Sequence, residues 1–248
     1  MAATKPEAVG VYRIVNEFIR APLRFLPCDN DEDCTPYLIC GEAHHPGAFD
    51  TTQTPPAWRV ADHFHVNLER VPDFNKGGAH ELAFKVCHEL AHSFIFPPDN
   101  LGYWVSIHAL QQMYHWSGRI DFENIFRFHM DFLVNEWIYR NRGLVDHLRA
   151  HGLDVYRGAM MSYKFDPPIV LDEELMTDAK WSIIRYNEIA ILRETNPAGF
   201  ARINPKPRYE RIERFCTAFL AADYAHWDSD QWFDFLNRTL LEAYAAGN

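Results

Sequence analysis

Residues 82–95 have the sequence Leu-Ala-Phe-Lys-Val-Cys-His-Glu-Leu-Ala-His-Ser-Phe-Ile, and this stretch decides the prediction for the whole chain. Its apolar residues recur at three- and four-residue spacing, which predicts a helix with one side against a core. The stripe consists of Leu82, Ala83, Val86, Cys87, Leu90, Ala91, Phe94 and Ile95. Gly77-Gly78 before it and Pro97-Pro98 after it are typical of helix ends.

The predicted helix carries the pentapeptide His88-Glu89-Leu90-Ala91-His92, an HExxH motif. Residues four apart on a helix lie on the same face, so His88 and His92 can bind one metal ion. Glu89 is rotated by about 100° from His88 and can act as general base on a metal-bound water. With 13 histidines in the chain a chance match has to be weighed, and the helical context favours a genuine metal site.

A partial copy of the motif precedes it, His80-Glu81-Leu82-Ala83-Phe84. Phe84 stands where the second histidine would be, so this copy cannot chelate a metal in the same way. We predict that His80 and Glu81 belong to the first turn of the helix.

Composition and charge limit the classes of function. The chain has 248 residues, of which 48% are hydrophobic, and a formal net charge of −10. This charge argues against nucleic acid or an anionic membrane as the main partner. No apolar run approaches the roughly 20 residues of a membrane-spanning helix, and the first residues lack the apolar segment of a signal peptide. We therefore expect a cytoplasmic protein.

Cysteine usage does not indicate a disulfide framework, because the five cysteines are odd in number and scattered. Cys28, Cys34 and Cys40 recur at six-residue spacing around an acidic loop. A second metal site or a redox clip there is a minor alternative.

The rest of the chain predicts further helices and a few strands. Alternating apolar residues predict a half-buried strand from Trp58 to Arg70, and a short strand is predicted around Val155–Tyr163. Helices are predicted over 8–26, 104–116, 121–142, 171–195, 207–225 and 229–245. The HExxH helix resembles that of the zincin metallopeptidases, and this resemblance implies an α+β fold class: a zincin-like core with a small sheet, the HExxH helix and a second ligand helix. We predict this core over residues 1–150 and a helical C-terminal extension, packed on the core, over residues 151–248.

A hydrolytic zinc site needs a third protein ligand and one open position for water. The third ligand does not follow the metzincin pattern, in which a glycine and a third histidine come shortly after HExxH. In this chain Ile95 and Pro98 occupy those two places. A ligand from a second helix is therefore expected. The segment 126–138 offers His129, Asp131 and Glu136 as candidates.

The HExxH motif followed by an acidic second helix resembles the gluzincin-type zinc metallopeptidases, typified by thermolysin. The resemblance is closest to small bacterial and phage members that cut regulatory proteins, and it covers about residues 58–142. Asp131, Val134 and Asn135 match the spacing of the ligand helix in those enzymes, although the family usually has Glu at the position of Asp131. The resemblance thus implies that Asp131 is the third ligand and that Asn135 supports the site.

Glu136 is the rival third ligand. Asn135-Glu136 resembles the Asn-Glu pair of thermolysin-like enzymes, and a helical wheel places Glu136 closer to the apolar face of its helix than Asp131. Each acid is also spaced to form a surface ion pair, Asp131 with Arg127 and Glu136 with Arg140.

The expected function is that of a zinc-dependent peptidase, an endopeptidase rather than an exopeptidase, with Glu89 as catalytic base and a peptide or protein as substrate. The strand Trp58–Arg70 is the expected edge for an extended substrate. Tyr103, His108, Tyr114 and His115 are candidates to stabilise the oxyanion. Two alternatives remain: an iron(II)-dependent oxygenase, since two histidines and a carboxylate also suit Fe²⁺, and a binding module without proteolytic activity.

Overall fold

The structure, a computed structural model, describes residues 5–20, 24–28, 57–60, 63–67, 73–95, 105–106, 108–110, 112, 122–163, 179–202, 207–222 and 227–246. The chain forms two compact units. One comprises Met1–Phe94 and Asn141–Asp166, and the other Ile95–Arg140 and Pro167–Asn248. Both units draw on residues from either side of residue 150, and the predicted domain division at that residue stays a prediction.

The described residues of the first unit form four helices and three short strands. The helices are α1 (Lys5–Ile19), α2 (Gly78–Ile95, with its last residue assigned to the other unit), α4 (Arg142–Ala150) and α5 (Val155–Tyr163). The strands are β1 (Arg24–Cys28), β2 (Ala57–Val60) and β3 (His63–Asn67), and a 3₁₀ turn spans Phe74–Lys76. In the sheet β3 lies in the middle, parallel to β1 and antiparallel to β2.

The second unit is helical in its described part. Its helices are α3 (Phe122–Arg140), α6 (Ala179–Thr195), α7 (Pro197–Phe200), α8 (Pro207–Leu220) and α9 (Ser229–Ala246). Helix α3 packs against α6, α8 and α9. Most of the C-terminal half of α3 is buried on all sides and not on one face only. Its buried residues are 132–136, 138 and 139.

The predicted α+β fold class with a zincin-like core is wrong, because the described residues are mainly helical and include one sheet of three short strands. Two misread stretches explain the error. The alternating pattern over 58–70 corresponds to two short strands instead of one long strand, and Val155–Tyr163 forms a helix. Only the β2 part of the expected substrate edge lies at an edge of the described sheet, because β3 is paired on both sides.

Helix α2 begins where the sequence predicts. Gly77 adopts a left-handed conformation with φ of 103°, which glycine accepts without steric cost. The Asp73 side chain accepts a hydrogen bond from the backbone of Asn75 and caps the preceding turn. The predicted apolar stripe is buried at Leu82, Ala83, Val86, Cys87, Leu90, Ala91 and Ile95, while the side chain of Phe94 lies outside the described residues.

Helix α5 lies directly against the first turns of α2. The backbone N–H of Asp154 donates to Nδ1 of His80 over 3.1 Å, and the ring of Tyr163 contacts that of Phe84 edge-on. Burial lowers the pKa of His80 and the nearby Arg157 lowers it further, so the ring stays neutral and can accept this bond. His80 therefore joins α5 to α2, and the partial motif copy lies at the start of α2, as predicted.

Gly158 permits this close approach, and we expect Gly158→Ala to destabilise the protein. A Cβ atom at this position would lie 2.0 Å from the backbone oxygen of His80. Forcing extra volume into such a contact costs about 1–3 kcal/mol or more, which outweighs the gain of up to about 1 kcal/mol from the higher helix propensity of alanine. Urea denaturation measures the change in the free energy of unfolding.

Gly10→Ala is the matched control for this substitution. Gly10 also lies inside a helix, but nothing stands within 4 Å of its added Cβ atom. We expect it to raise stability, through helix propensity alone. Equal stability of the two variants would show that α5 does not approach α2 as closely as described.

Candidate metal centre

The side chains of His88 and His92 converge on one side of α2. Their Nε2 atoms are 3.1 Å apart, and the ring centroids are separated by 4.7 Å with the planes at 79°. Two nitrogens bound to a tetrahedral zinc ion at the usual bond length would be roughly 3.4 Å apart. The observed separation is within hydrogen-bond distance and is close to the spacing of a chelate.

Glu89 adjoins this pair on the same helical turn. Its side chain is buried, as is that of His88, whereas His92 is half-buried. Glu89 points about 100° away from His88 around the helix axis. This offset is suited to a carboxylate that acts on a metal-bound water instead of binding the metal itself.

Asp131, the third ligand that the family resemblance implies, is a half-buried residue of α3 in the second unit, whereas both histidines belong to the first unit. Two imidazole nitrogens and one carboxylate oxygen are the donor set of hydrolytic zinc sites and of non-haem Fe(II) sites. The residues present therefore fit a divalent transition metal.

Glu136, the rival third ligand, is engaged elsewhere. Its side chain is fully buried, and Tyr186 donates a hydrogen bond to its Oε1 over 2.7 Å. Arg140 and Arg193 both pair with its Oε2, the latter at 2.9 Å. Both carboxylate oxygens thus have charged or hydroxyl partners within the second unit.

A wider network surrounds this carboxylate. Arg193 also contacts Glu213 at 2.7 Å and the Tyr209 hydroxyl at 3.2 Å, and Arg140 donates to Thr217. We call Glu136, Arg140, Tyr186, Arg193, Tyr209 and Glu213 the ion cluster. It joins α3, α6 and α8 and satisfies the buried charge of Glu136.

Burial and the nearby charge of Glu136 keep the Tyr186 hydroxyl and the Cys216 thiol protonated. Burial raises the pKa of Tyr186, and the neighbouring Cys216 and Glu136 raise it further. Burial likewise raises the pKa of the Cys216 thiol, and Glu136 adds to this effect. Tyr186 therefore remains a hydrogen-bond donor to Glu136 over the physiological pH range.

Asn135, which the family resemblance implicates as a supporting residue, lies one turn beyond Asp131 on α3. Its side-chain Nδ2 donates to Oδ1 of Asn187 over 3.0 Å, and Tyr139 donates to the same oxygen over 2.8 Å. Asn135 and Asn187 have no exposed surface.

The structure describes few of the remaining residues that the sequence singled out. Burial raises the pKa of the Cys87 thiol, which agrees with its interpretation as a buried apolar residue. His108 is exposed on a short helical stretch. The other candidates lie outside what the structure describes: the side chains of Cys28 and His129, and residues Cys34, Cys40, Tyr103, Tyr114 and His115.

Sequence analysis missed the residues of the C-terminal helices that contact α3, above all Tyr186, Asn187 and Arg193. A signal was available, since Tyr186, Asn187 and Glu188 form a polar group just before the apolar residues Ile189, Ala190 and Ile191. Polar side chains within a core helix usually have buried partners. The sequence did not reveal which partners these were.

Comparisons of the chain with known protein families, with curated protein sequences and with solved structures find no match. Among the helices in the described ranges, none has the length and apolar character needed to cross a membrane. The function is therefore inferred from the residues of the candidate metal centre.

Proposed function

We propose that the protein is a zinc-dependent peptidase whose metal is held by His88, His92 and Asp131. The observation that carries this proposal is the convergence of the two Nε2 atoms at 3.1 Å on the HExxH helix. The family resemblance, in which Asp131 matches the spacing of the ligand helix, favours Asp131 as the third ligand. The engagement of Glu136 by two arginines and a tyrosine supports it independently.

The chemistry of hydrolysis follows from the donor set. When bound, zinc lowers the pKa of a coordinated water and polarises the scissile carbonyl. Glu89 accepts the proton of that water and transfers it to the leaving amine, so one carboxylate serves first as base and then as acid. The buried setting of Glu89 strengthens its interaction with charge that develops nearby.

The proposed substrate is a peptide or protein cut internally, and the proposed compartment is the cytoplasm. The formal charge of −10 favours substrates that are not polyanions. The same donor set also suits Fe(II), so an iron-dependent oxygenase is the second candidate function.

A combined metal and cleavage assay tests the proposal. The protein is purified anaerobically, its metals are quantified, and a proteome-derived peptide library is digested with and without a chelator. We expect bound zinc and chelator-sensitive internal cleavage. Bound iron with oxygen uptake would establish the oxygenase instead, and a bound metal with neither activity would leave a binding module.

A further inference from the structure

A buried amide of the C-terminal region is hydrogen-bonded to the helix that carries Asp131. The Oδ1 atom of Asn187 on α6 accepts two hydrogen bonds from α3, one from Asn135 and one from Tyr139. All three side chains are fully buried. Two donors therefore converge on one oxygen in a part of the core that excludes solvent.

These two donors lie on the same side of α3 as Asp131. Residues 131, 135 and 139 are spaced by four, which stacks their side chains along one face of a helix. A slip of α3 by one residue along α6 would shift the donors by about 1.5 Å and rotate them by about 100°. Both hydrogen bonds would then be lost, so the Asn187 oxygen, together with the bonds of Tyr186 and Arg193 to Glu136, holds the rotation and the register of this face.

Apolar packing alone does not impose this precision. The neighbouring core residues Phe132, Leu133 and Val134 contribute burial, which is non-directional. A metal ligand, in contrast, has to be placed within about 0.5 Å of its productive position. Directional hydrogen bonds from an adjacent helix meet that requirement.

We propose that Asn187 is a positioning residue for the metal centre, acting through Asn135 and Tyr139 to hold the Asp131 face of α3 in register. This inference rests on the proposed function, since it assumes that Asp131 binds the metal. It assigns the C-terminal helical region a role in metal binding beyond that of a packed extension.

Zinc affinity measured in the full-length protein tests this role. Removal of a partner that orients a ligand typically weakens metal binding by about 10- to 100-fold, and we expect a loss of this size in Asn187→Leu. In Asn187→Asp an oxygen still accepts from Asn135 and Tyr139, and the affinity should stay within a few-fold of the wild-type value. Tyr139→Phe removes one donor only and should give an intermediate loss, which keeps the test usable if Asn187→Leu fails to fold.

Leu236→Ala is the control for general destabilisation. Leu236 is buried in the same unit, on α9, and its side chain can form no hydrogen bond. This variant should lower the melting temperature while zinc affinity stays within a few-fold of wild type. An equal loss of affinity in Leu236→Ala and Asn187→Leu would reduce Asn187 to a stability residue and overturn the inference.

The failures of the two proposals are distinguishable. Absence of zinc binding in the wild-type protein overturns the metal centre and this inference together. Zinc binding in the wild type that Asn187→Leu leaves unchanged overturns the inference alone. Zinc binding without peptide hydrolysis leaves the positioning role intact and contradicts only the peptidase.

Discussion

Glu89→Gln is expected to abolish peptide hydrolysis without removing the metal. Glutamine has nearly the same shape as glutamate, but its amide cannot accept the proton of the attacking water. General-base catalysis typically contributes about 10²- to 10⁴-fold to a rate, so kcat should fall by at least this factor. Metal analysis of the same preparation should give the wild-type stoichiometry, because Glu89 is not one of the three proposed ligands.

Glu81→Gln is a matched control for this substitution. Glu81 lies on the same helix, is buried to the same degree as Glu89, and belongs to the partial copy of the motif. Its carboxylate pairs with Lys85 at 2.7 Å and has no part in the metal centre. We expect this variant to remain active. Full activity in Glu89→Gln, or equal losses in both variants, would contradict the role assigned to Glu89.

Glu136→Ala is expected to cause the largest loss of stability. Removing one partner of a buried ion pair typically costs about 3–5 kcal/mol, because the other charge is left uncompensated. Here the buried Tyr186 hydroxyl would lose its carboxylate acceptor, and Arg193, which is only 14% exposed, would lose one carboxylate partner while keeping Glu213. Arg140 is more exposed and can be partly hydrated, so we expect a loss near the lower end of this range. Urea denaturation in the presence of a chelator measures it without a contribution from metal binding.

Charge-neutralising variants compare the two third-ligand candidates under the same conditions. Glu136→Gln keeps an acceptor for Tyr186 and should retain zinc, although with reduced stability. Asp131→Asn should retain stability in the chelated state and bind zinc much more weakly. The reverse result is loss of zinc in Glu136→Gln and normal binding in Asp131→Asn. It would show that Glu136 is the ligand and contradict its assignment to the ion cluster.

The HExxH helix was predictable because its determinants are local. The apolar stripe, Gly77 before it and the spacing of His88 and His92 all lie within about twenty residues. The structure agrees with the sequence on the helix, its buried face and the convergence of the two imidazoles.

The environment of Glu136 could not be predicted in the same way. A helical wheel assumes one buried face, whereas the C-terminal half of α3 is enclosed by helices that follow much later in the chain. Spacing indicated a surface pair of Glu136 with Arg140. The carboxylate is instead buried among Tyr186 and Arg193, which lie 50 and 57 residues away in sequence.

The helix Val155–Tyr163 was mistaken for a strand because its short sequence of mixed polarity has no clear period. Its start was nevertheless encoded. The Asp154 side chain accepts hydrogen bonds from the backbone of Tyr156 and Arg157, as an N-cap residue does. Gly158, which lowers helix propensity, is required by the close approach to His80 and not by a turn.

Metal content is the most direct measure of the central claim, that His88 and His92 bind a metal. Four proteins are purified identically: the wild type, His88→Ala, His92→Ala and Glu81→Gln. Zinc and iron are then quantified per chain. We predict one metal ion per chain in the wild type and in Glu81→Gln, and little or none in either histidine variant. Stoichiometric metal in both histidine variants, or none in the wild type after incubation with zinc, would contradict the account.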